Sequence, residues 1–267
     1  MLRDITIGQY YPSDSLIHRL DPRVKLASTM LFLISLFITG SIAAYIFAGL
    51  VLLLVIRISR IPVKFIVKGL KAVFILLLIS VSFNLFLTPG EVIFKLGFLH
   101  ITREGVRIAV FMAVRLIYLI IGSSLMTLTT TPNELTDGLE KSLGFLNKAH
   151  IPVHEIAMMM SIALRFIPIL IEETDKIMKA QMARGADFDT GGLMDRAKAM
   201  VPLLVPLFLS AFRRAADLAQ AMEARCYHGG EGRTKLKPLR YKRRDYIAYF
   251  TVAIYFLIML STRFIGI

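Results

Sequence analysis

Residues 42–71 read IAAYIFAGLVLLLVIRISRIPVKFIVKGLK. Ile42 to Ile56 contain no charge, whereas Arg57, Arg60, Lys64, Lys68 and Lys71 follow with no acidic residue among them. An uncharged apolar run beside a purely basic segment marks a membrane span entering the cytoplasm, because Lys and Arg collect on that side. A hydrocarbon core takes about 20 largely apolar helical residues. Upstream, Leu26 to Ile38 form a slightly short span that Val24 and Gly40 extend, and Gly40-Ser41 turn the chain into Ile42. Downstream, spans are expected at Ala72–Leu87, closed by Thr88-Pro89-Gly90, at Val106–Leu128 and at Tyr246–Leu260. Between the third and fourth, Lys95 and Arg103 are balanced by Glu91 and Glu104, which puts that loop outside. The N-terminus, with Arg3, Arg19, Arg23 and Lys25, then lies inside.

Composition agrees. The chain is 56% hydrophobic and its mean hydropathy is +0.65, yet it holds 32 Lys plus Arg and a formal charge of +13. Such apolarity is absorbed by the lipid bilayer rather than by one packed core. The charge belongs to cytoplasmic loops and anionic headgroups; without an accompanying aromatic and basic stripe, nucleic acid is not an expected partner. One cysteine, Cys226, excludes an internal disulfide framework. The polar stretch from Met1 to Arg23 is too long and mixed for a signal-peptide start, so no cleavage is expected.

Two later apolar stretches need arbitration. Ile151–Ile171 has spanning length but is interrupted by His154, Glu155 and Arg165; Ala199–Phe212 is short and holds Pro202 and Pro206. If both spanned, Lys176, Lys179, Arg184, Arg196 and Lys198 would lie outside, against the charge rule. Residues 131–244 therefore read as one cytoplasmic region. A re-entrant or membrane-surface placement of Ile151–Ile171 stays open. The expected fold is all-α and polytopic: a membrane domain of four transmembrane helices over 1–130, long cytoplasmic helices over 131–244, and a fifth span in 245–267.

Within the cytoplasmic region two long helices are expected. Pro152 suits a first helical turn, and Ile156, Met159, Met160, Ala163, Ile167, Leu170, Thr174 and Ile177 keep helical spacing up to Gly185. Gly191-Gly192 break the chain, and a second helix runs from Leu193 to about Arg225, before Tyr227-His228-Gly229-Gly230. The first closes Met182-Ala183-Arg184-Gly185 and the second Met222-Glu223-Ala224-Arg225-Cys226. Arginine in a last turn suits the helix dipole by about 0.3–1 kcal/mol, which would account for one such ending. Two matched endings about forty residues apart suggest a recognition role, since arginine's planar fork captures carboxylates.

Two cytoplasmic helices with Ala-Arg endings after four N-terminal spans resemble the transmembrane coupling subunits of energy-coupling-factor transporters, the EcfT proteins, related to the CbiQ subunits of cobalt importers. The opening Ile5-Thr6-Ile7-Gly8-Gln9-Tyr10-Tyr11-Pro12 and the run from His18 to Leu26 (HRLDPRVKL) are similar to that family too. The resemblance covers nearly the whole chain. It implies a non-catalytic subunit of an ATP-driven vitamin or micronutrient importer in the cell membrane. It further implies that each Ala-Arg-Gly ending docks on one of two ABC-type ATPase subunits, which bind the ATP, while a membrane-embedded S-component binds the substrate. Ala183, Arg184 and Gly185 match the first motif in full; Ala224 and Arg225 match the second, but Cys226 stands where glycine is usual, which puts the cap geometry there in question.

The methionines Met158, Met159, Met160 and Met178 read either as adaptable core or as a surface able to repack against different S-components. Arg115, inside the fourth span, is expected to pair with another helix or to snorkel outward. His150 and His154 are separated by Pro152 and form no His-Glu-x-x-His pattern, so no metal site is expected; no phosphate-binding Gly-x-x-x-x-Gly-Lys-Ser/Thr loop is present, so no nucleotide cofactor is expected in this chain. The competing readings are an integral membrane enzyme, which would need clustered carboxylates or histidines, and a self-sufficient secondary transporter, which would need polar residues deep in several spans.

Overall fold

A computed structural model describes residues 10–96, 99–186, 188, 192–230 and 238–264. The chain is helical almost throughout: α1 (Pro22–Ile38), α2 (Ile42–Ser59), α3 (Val63–Leu87), a hairpin β1 (Val92–Leu96) and β2 (Leu99–Thr102), α4 (Arg103–Thr129), α5 (Pro132–Ser142), a 3-10 turn (Gly144–Ala149), α6 (Val153–Ala183), α7 (Leu193–Glu223) and α8 (Arg243–Phe264). Two compact units result, one of Gly8–Lys141 with Leu239–Ile267, the other containing Ser142–Pro238. These divisions fall at 142 and 239, where sequence suggested 131 and 245. The difference at the first boundary is α5, whose Gly138 lies against Pro22 so closely that a Cβ there would sit 2.9 Å from the proline ring.

α2, α4, α6 and α8 are each long and apolar enough to cross a bilayer, as is α3 taken as one span bent by 59°. This is an all-α, polytopic membrane protein. Three details depart from the sequence expectations. α3 begins at Val63 rather than Ala72, so Lys64, Lys68 and Lys71 are helical and not loop residues. α1 has 17 residues, about 26 Å of helix against a core of about 30 Å. α6, kept out of the membrane on charge grounds, is sufficient to span by length and composition. Its hydropathy comes from one side: Arg165 and Glu172 lie about half a turn from Ile156, which makes it amphipathic rather than apolar all round.

The core of the first unit is built where small residues let helices approach. Ala44 and Ala48, one turn apart on α2, are fully buried with Leu36, Tyr45, Tyr255 and Met259. Gly122 of α4 faces the Phe32 ring, which would stand 2.8 Å from an added Cβ; close approach at small residues is how packed helices associate without a hydrophobic drive in lipid. A second cluster joins Leu52, Ile61, Ile66, Leu125 and Leu128. Arg115 pairs between helices, donating from Nε to the Tyr45 hydroxyl at 2.8 Å.

The ends of the spans are tied by polar groups. Asp21 caps α1 by accepting from the Arg23 backbone N–H at 3.0 Å, and takes the Arg23 guanidinium on both oxygens at 2.9 Å; Pro22 fills the first helical position, where no N–H is needed. Arg23 also stacks on Tyr241, 3.8 Å from the ring centre. The buried Asp245 carboxylate accepts from the Asp21 N–H at 2.9 Å and the Lys242 N–H at 2.7 Å, capping α8 and joining it to α1. Lys25 donates to the carbonyls of His18 and Thr129, joining α1 to the end of α4. α5 opens with a capping box: Glu134 N–H donates to Thr131 Oγ1, and Thr131 N–H to Glu134 Oε2.

Candidate coupling site

The second unit presents α6 and α7 as two arms with the same ending. At the end of α6, the N–H of Arg184 donates to Gln181 O, that of Gly185 to Met182 O and that of Ala186 to Gln181 O, each at 3.0 Å. At the end of α7, Arg225 donates to Met222 O at 3.1 Å, Cys226 to Glu223 O at 2.9 Å and Tyr227 to Met222 O at 3.1 Å. Both are Schellman closures, with the arginine at the C-cap and a left-handed residue behind it. Gly185 takes φ +91°, and Cys226 takes φ +54°. The substitution of cysteine for glycine therefore leaves the cap intact, at the steric cost of placing a Cβ in the left-handed region. Ala183, Arg184, Gly185, Ala224 and Arg225 are all exposed, and among the described residues neither arginine has an ion pair. Arg225 continues into a turn secured by His228, whose Nδ1 donates to the Cys226 carbonyl at 2.8 Å.

The arms meet at an ion pair: Arg214 Nη2 donates to Glu173 Oε2 at 3.0 Å. Glu173 and Arg214 each stand eleven residues before their helix's capping arginine, about 16 Å of helix. The arms do not run parallel at this point. Side by side and parallel, the end of α6 and the start of α7 would be about 46 Å apart, whereas the ten residue steps from Ala183 to Leu193 reach at most about 36 Å. Arms of this length set near or beyond a right angle put the two arginine backbones roughly 25–35 Å apart. The unit thus offers two separated cationic tips.

Each arm also leaves an apolar stripe open. On α6, Ile156, Met159, Met160, Ala163 and Ile167 are exposed and share one face. Met178 lies on the same side nearer the tip and is half-buried, whereas Met158 falls about 200° from Ile156, across the helix. On α7, Val201, Val205, Phe208 and Phe212 are 54–71% exposed at spacings of four, three and four, again one face. The sequence reading passed over this second stripe, weighing the segment only as too short and proline-broken to span. Its spacing was the available signal.

At the foot of α6 the chain closes on itself. Val153 N–H donates to Asn147 Oδ1 at 3.3 Å, and Gly230 lies against the His154 ring, 2.3 Å from where its Cβ would be. A side chain at 230 would displace that ring.

A multi-pass helical membrane protein carrying a pair of long arginine-capped arms is the class defined by these features. The CbiQ family model, described as cobalt transport protein, matches residues 13–236. The chain is 56% identical over 250 residues to the energy-coupling factor transporter transmembrane protein EcfT of Clostridium kluyveri, covering 93% of each. It is 50% identical to the protein of that name from Thermosediminibacter oceani, over 99% of this chain and 100% of the relative, and 50% identical to that of Bacillus subtilis, over 92% and 93%. The chain belongs to the CbiQ/EcfT family of transport proteins.

Proposed function

We propose that the chain is the non-catalytic, transmembrane coupling subunit of an energy-coupling-factor importer. The observation that carries this reading is the pair of identically closed helix ends, each holding an exposed arginine that has no ion pair among the described residues. Arg184 and Arg225 insert into acidic grooves on two ABC-type ATPase subunits, which bind the ATP; this chain needs no cofactor of its own. The roughly 25–35 Å between the tips suits two docking points on two subunits. When ATP draws those subunits together the tips approach, and arms pinned at Glu173 and Arg214 change their crossing angle. The open stripes on α6 and α7, including Met159 and Met160, receive a membrane-embedded S-component that binds the vitamin or other micronutrient.

In this arrangement the basic segment Arg57–Lys71, the N-terminus and the arms lie on the cytoplasmic side of the cell membrane, with residues 1–130 and 245–267 as the membrane domain. Truncating one member of a desolvated charge pair costs about 2–5 kcal/mol, so Arg184→Ala and Arg225→Ala should each weaken ATPase association more than tenfold. Pull-down of two ATPase chains, with uptake measured in parallel, tests this. Wild-type recovery and uptake in both single variants would remove the assignment.

A further inference from the structure

The first unit holds a charge cluster that the coupling role leaves unused. Arg57 lies in the last turn of α2 and Arg60 is its left-handed C-cap, at φ +56°. With Asp14, Ser15, Arg19 and Ile58 they line an open pocket of about 550 Å³. Arg19 is committed to Asp14, to which it donates from both Nε and Nη2. Arg57 and Arg60 are exposed, and among the described residues neither has an ion pair. The pocket therefore carries two cations in excess of its one carboxylate.

A second cavity, of about 390 Å³, shares the Ile58 wall. It runs from Leu20 and Ile58 past Val51 and Phe32 to Tyr255, and its lining is overwhelmingly apolar. Ile58 to Val51 is about 10 Å along α2, which is directed into the apolar depth of the bilayer. A cationic mouth at the end of a span, adjacent across Ile58 to an oily slot beside the same span, has the chemistry of an amphiphile with an anionic head. Either half alone would be ordinary: basic residues flank most spans, and helices seldom pack without gaps. Their adjacency across one side chain is what selects the occupant.

We propose that these two cavities bind one anionic phospholipid, its phosphate between Arg57 and Arg60 and one acyl chain in the slot beside Val51, Phe32 and Tyr255. A zwitterionic lipid fits less well, because its ammonium would be drawn into the same cationic mouth.

Native mass spectrometry of the full chain, titrated with dioleoyl phosphatidylglycerol or dioleoyl phosphatidylcholine, tests this. Wild type is expected to bind one phosphatidylglycerol at least tenfold more tightly than phosphatidylcholine. Losing two basic residues near an anionic group weakens binding by about 30-fold, so Arg57→Gln with Arg60→Gln should abolish the preference. Lys176→Gln with Lys179→Gln, an equal charge loss outside the pocket, should retain it. Ile58→Trp, which fills the shared wall and keeps both arginines, should also weaken the lipid, and free glycerol phosphate should not compete. Equal affinity of wild type for the two lipids overturns the proposal without any variant. Undiminished phosphatidylglycerol binding in the arginine pair variant, or displacement by glycerol phosphate at equal concentration, overturns it as well.

Discussion

Cys226 and Gly185 occupy equivalent places, yet only one lacks a Cβ. A side chain in the left-handed region costs about 1–2 kcal/mol, so Cys226→Gly should raise stability by about 1 kcal/mol, read as a higher midpoint in thermal unfolding of the purified chain; a lower midpoint would mean the thiol makes a compensating contact. His18 offers a second prediction. Its Nε2 faces the Tyr11 carbonyl at 3.1 Å, an acceptor only, and its Nδ1 faces Ser15 Oγ at 2.7 Å. The ring therefore donates at Nε2 and accepts at Nδ1, the neutral tautomer. Burial holds its pKa below the usual histidine value, the Tyr11 carbonyl opposing; Lys25 adds to the lowering and Glu134 works against it. The unfolded chain then takes up a proton first, at about 6.5. Stability contributed by neutral His18 is complete above that pH and is lost as pH falls toward the depressed folded value. Unfolding midpoints between pH 8 and 5 should fall more steeply for wild type than for His18→Gln. Matching slopes would assign the pH dependence to other groups. None of this was legible in the sequence, where His18 is one polar residue in an irregular stretch and its partners are set by tertiary folding.

At the scale of elements, α6 and α7 are joined by a pair whose side chains are 27% and 36% exposed. Such a pair is worth about 0.5–1 kcal/mol. Glu173→Arg and Arg214→Glu should each destabilise by about this amount, and the double exchange should recover most of it; a double-mutant cycle giving zero coupling would remove the pair as the pin. Both arms were readable in advance to within two residues, because Pro152, Gly185 and Gly191-Gly192 punctuate a long helical periodicity. Their pairing at Glu173 was not readable, since nothing local distinguishes Glu173 from its neighbour Glu172. The start of α3 was misjudged for the opposite reason. Lysines were taken as loop residues, although their long apolar stems sit comfortably on a helix approaching a membrane boundary. α5 announced itself through Thr131-Pro132-Asn133-Glu134, a capping box with proline at the first helical position, and the reading went past it.

Across the whole molecule, the membrane unit is held at its polar end by the Asp21, Arg23, Lys25 and Asp245 network, which draws α1, α4 and α8 together. Asp245 accepts from two backbone donors, and an asparagine offers one oxygen where a carboxylate offers two. Asp245→Asn should cost about 1–3 kcal/mol, measured as loss of thermal stability of the full chain, and unchanged stability would show that Asp21 finds another acceptor. Four of the expected spans, α2, α3, α4 and α8, followed from hydropathy; this network, joining residues 224 positions apart, could not, because it depends on how spans assemble. The single thiol has a practical corollary. Cys226 is the one cysteine in 267 residues, and it is exposed beside Arg225. A fluorophore or spin label attached by maleimide chemistry would report from one arm of the native sequence, with no second thiol in the chain to engineer away, and would show directly whether that arm's tip moves.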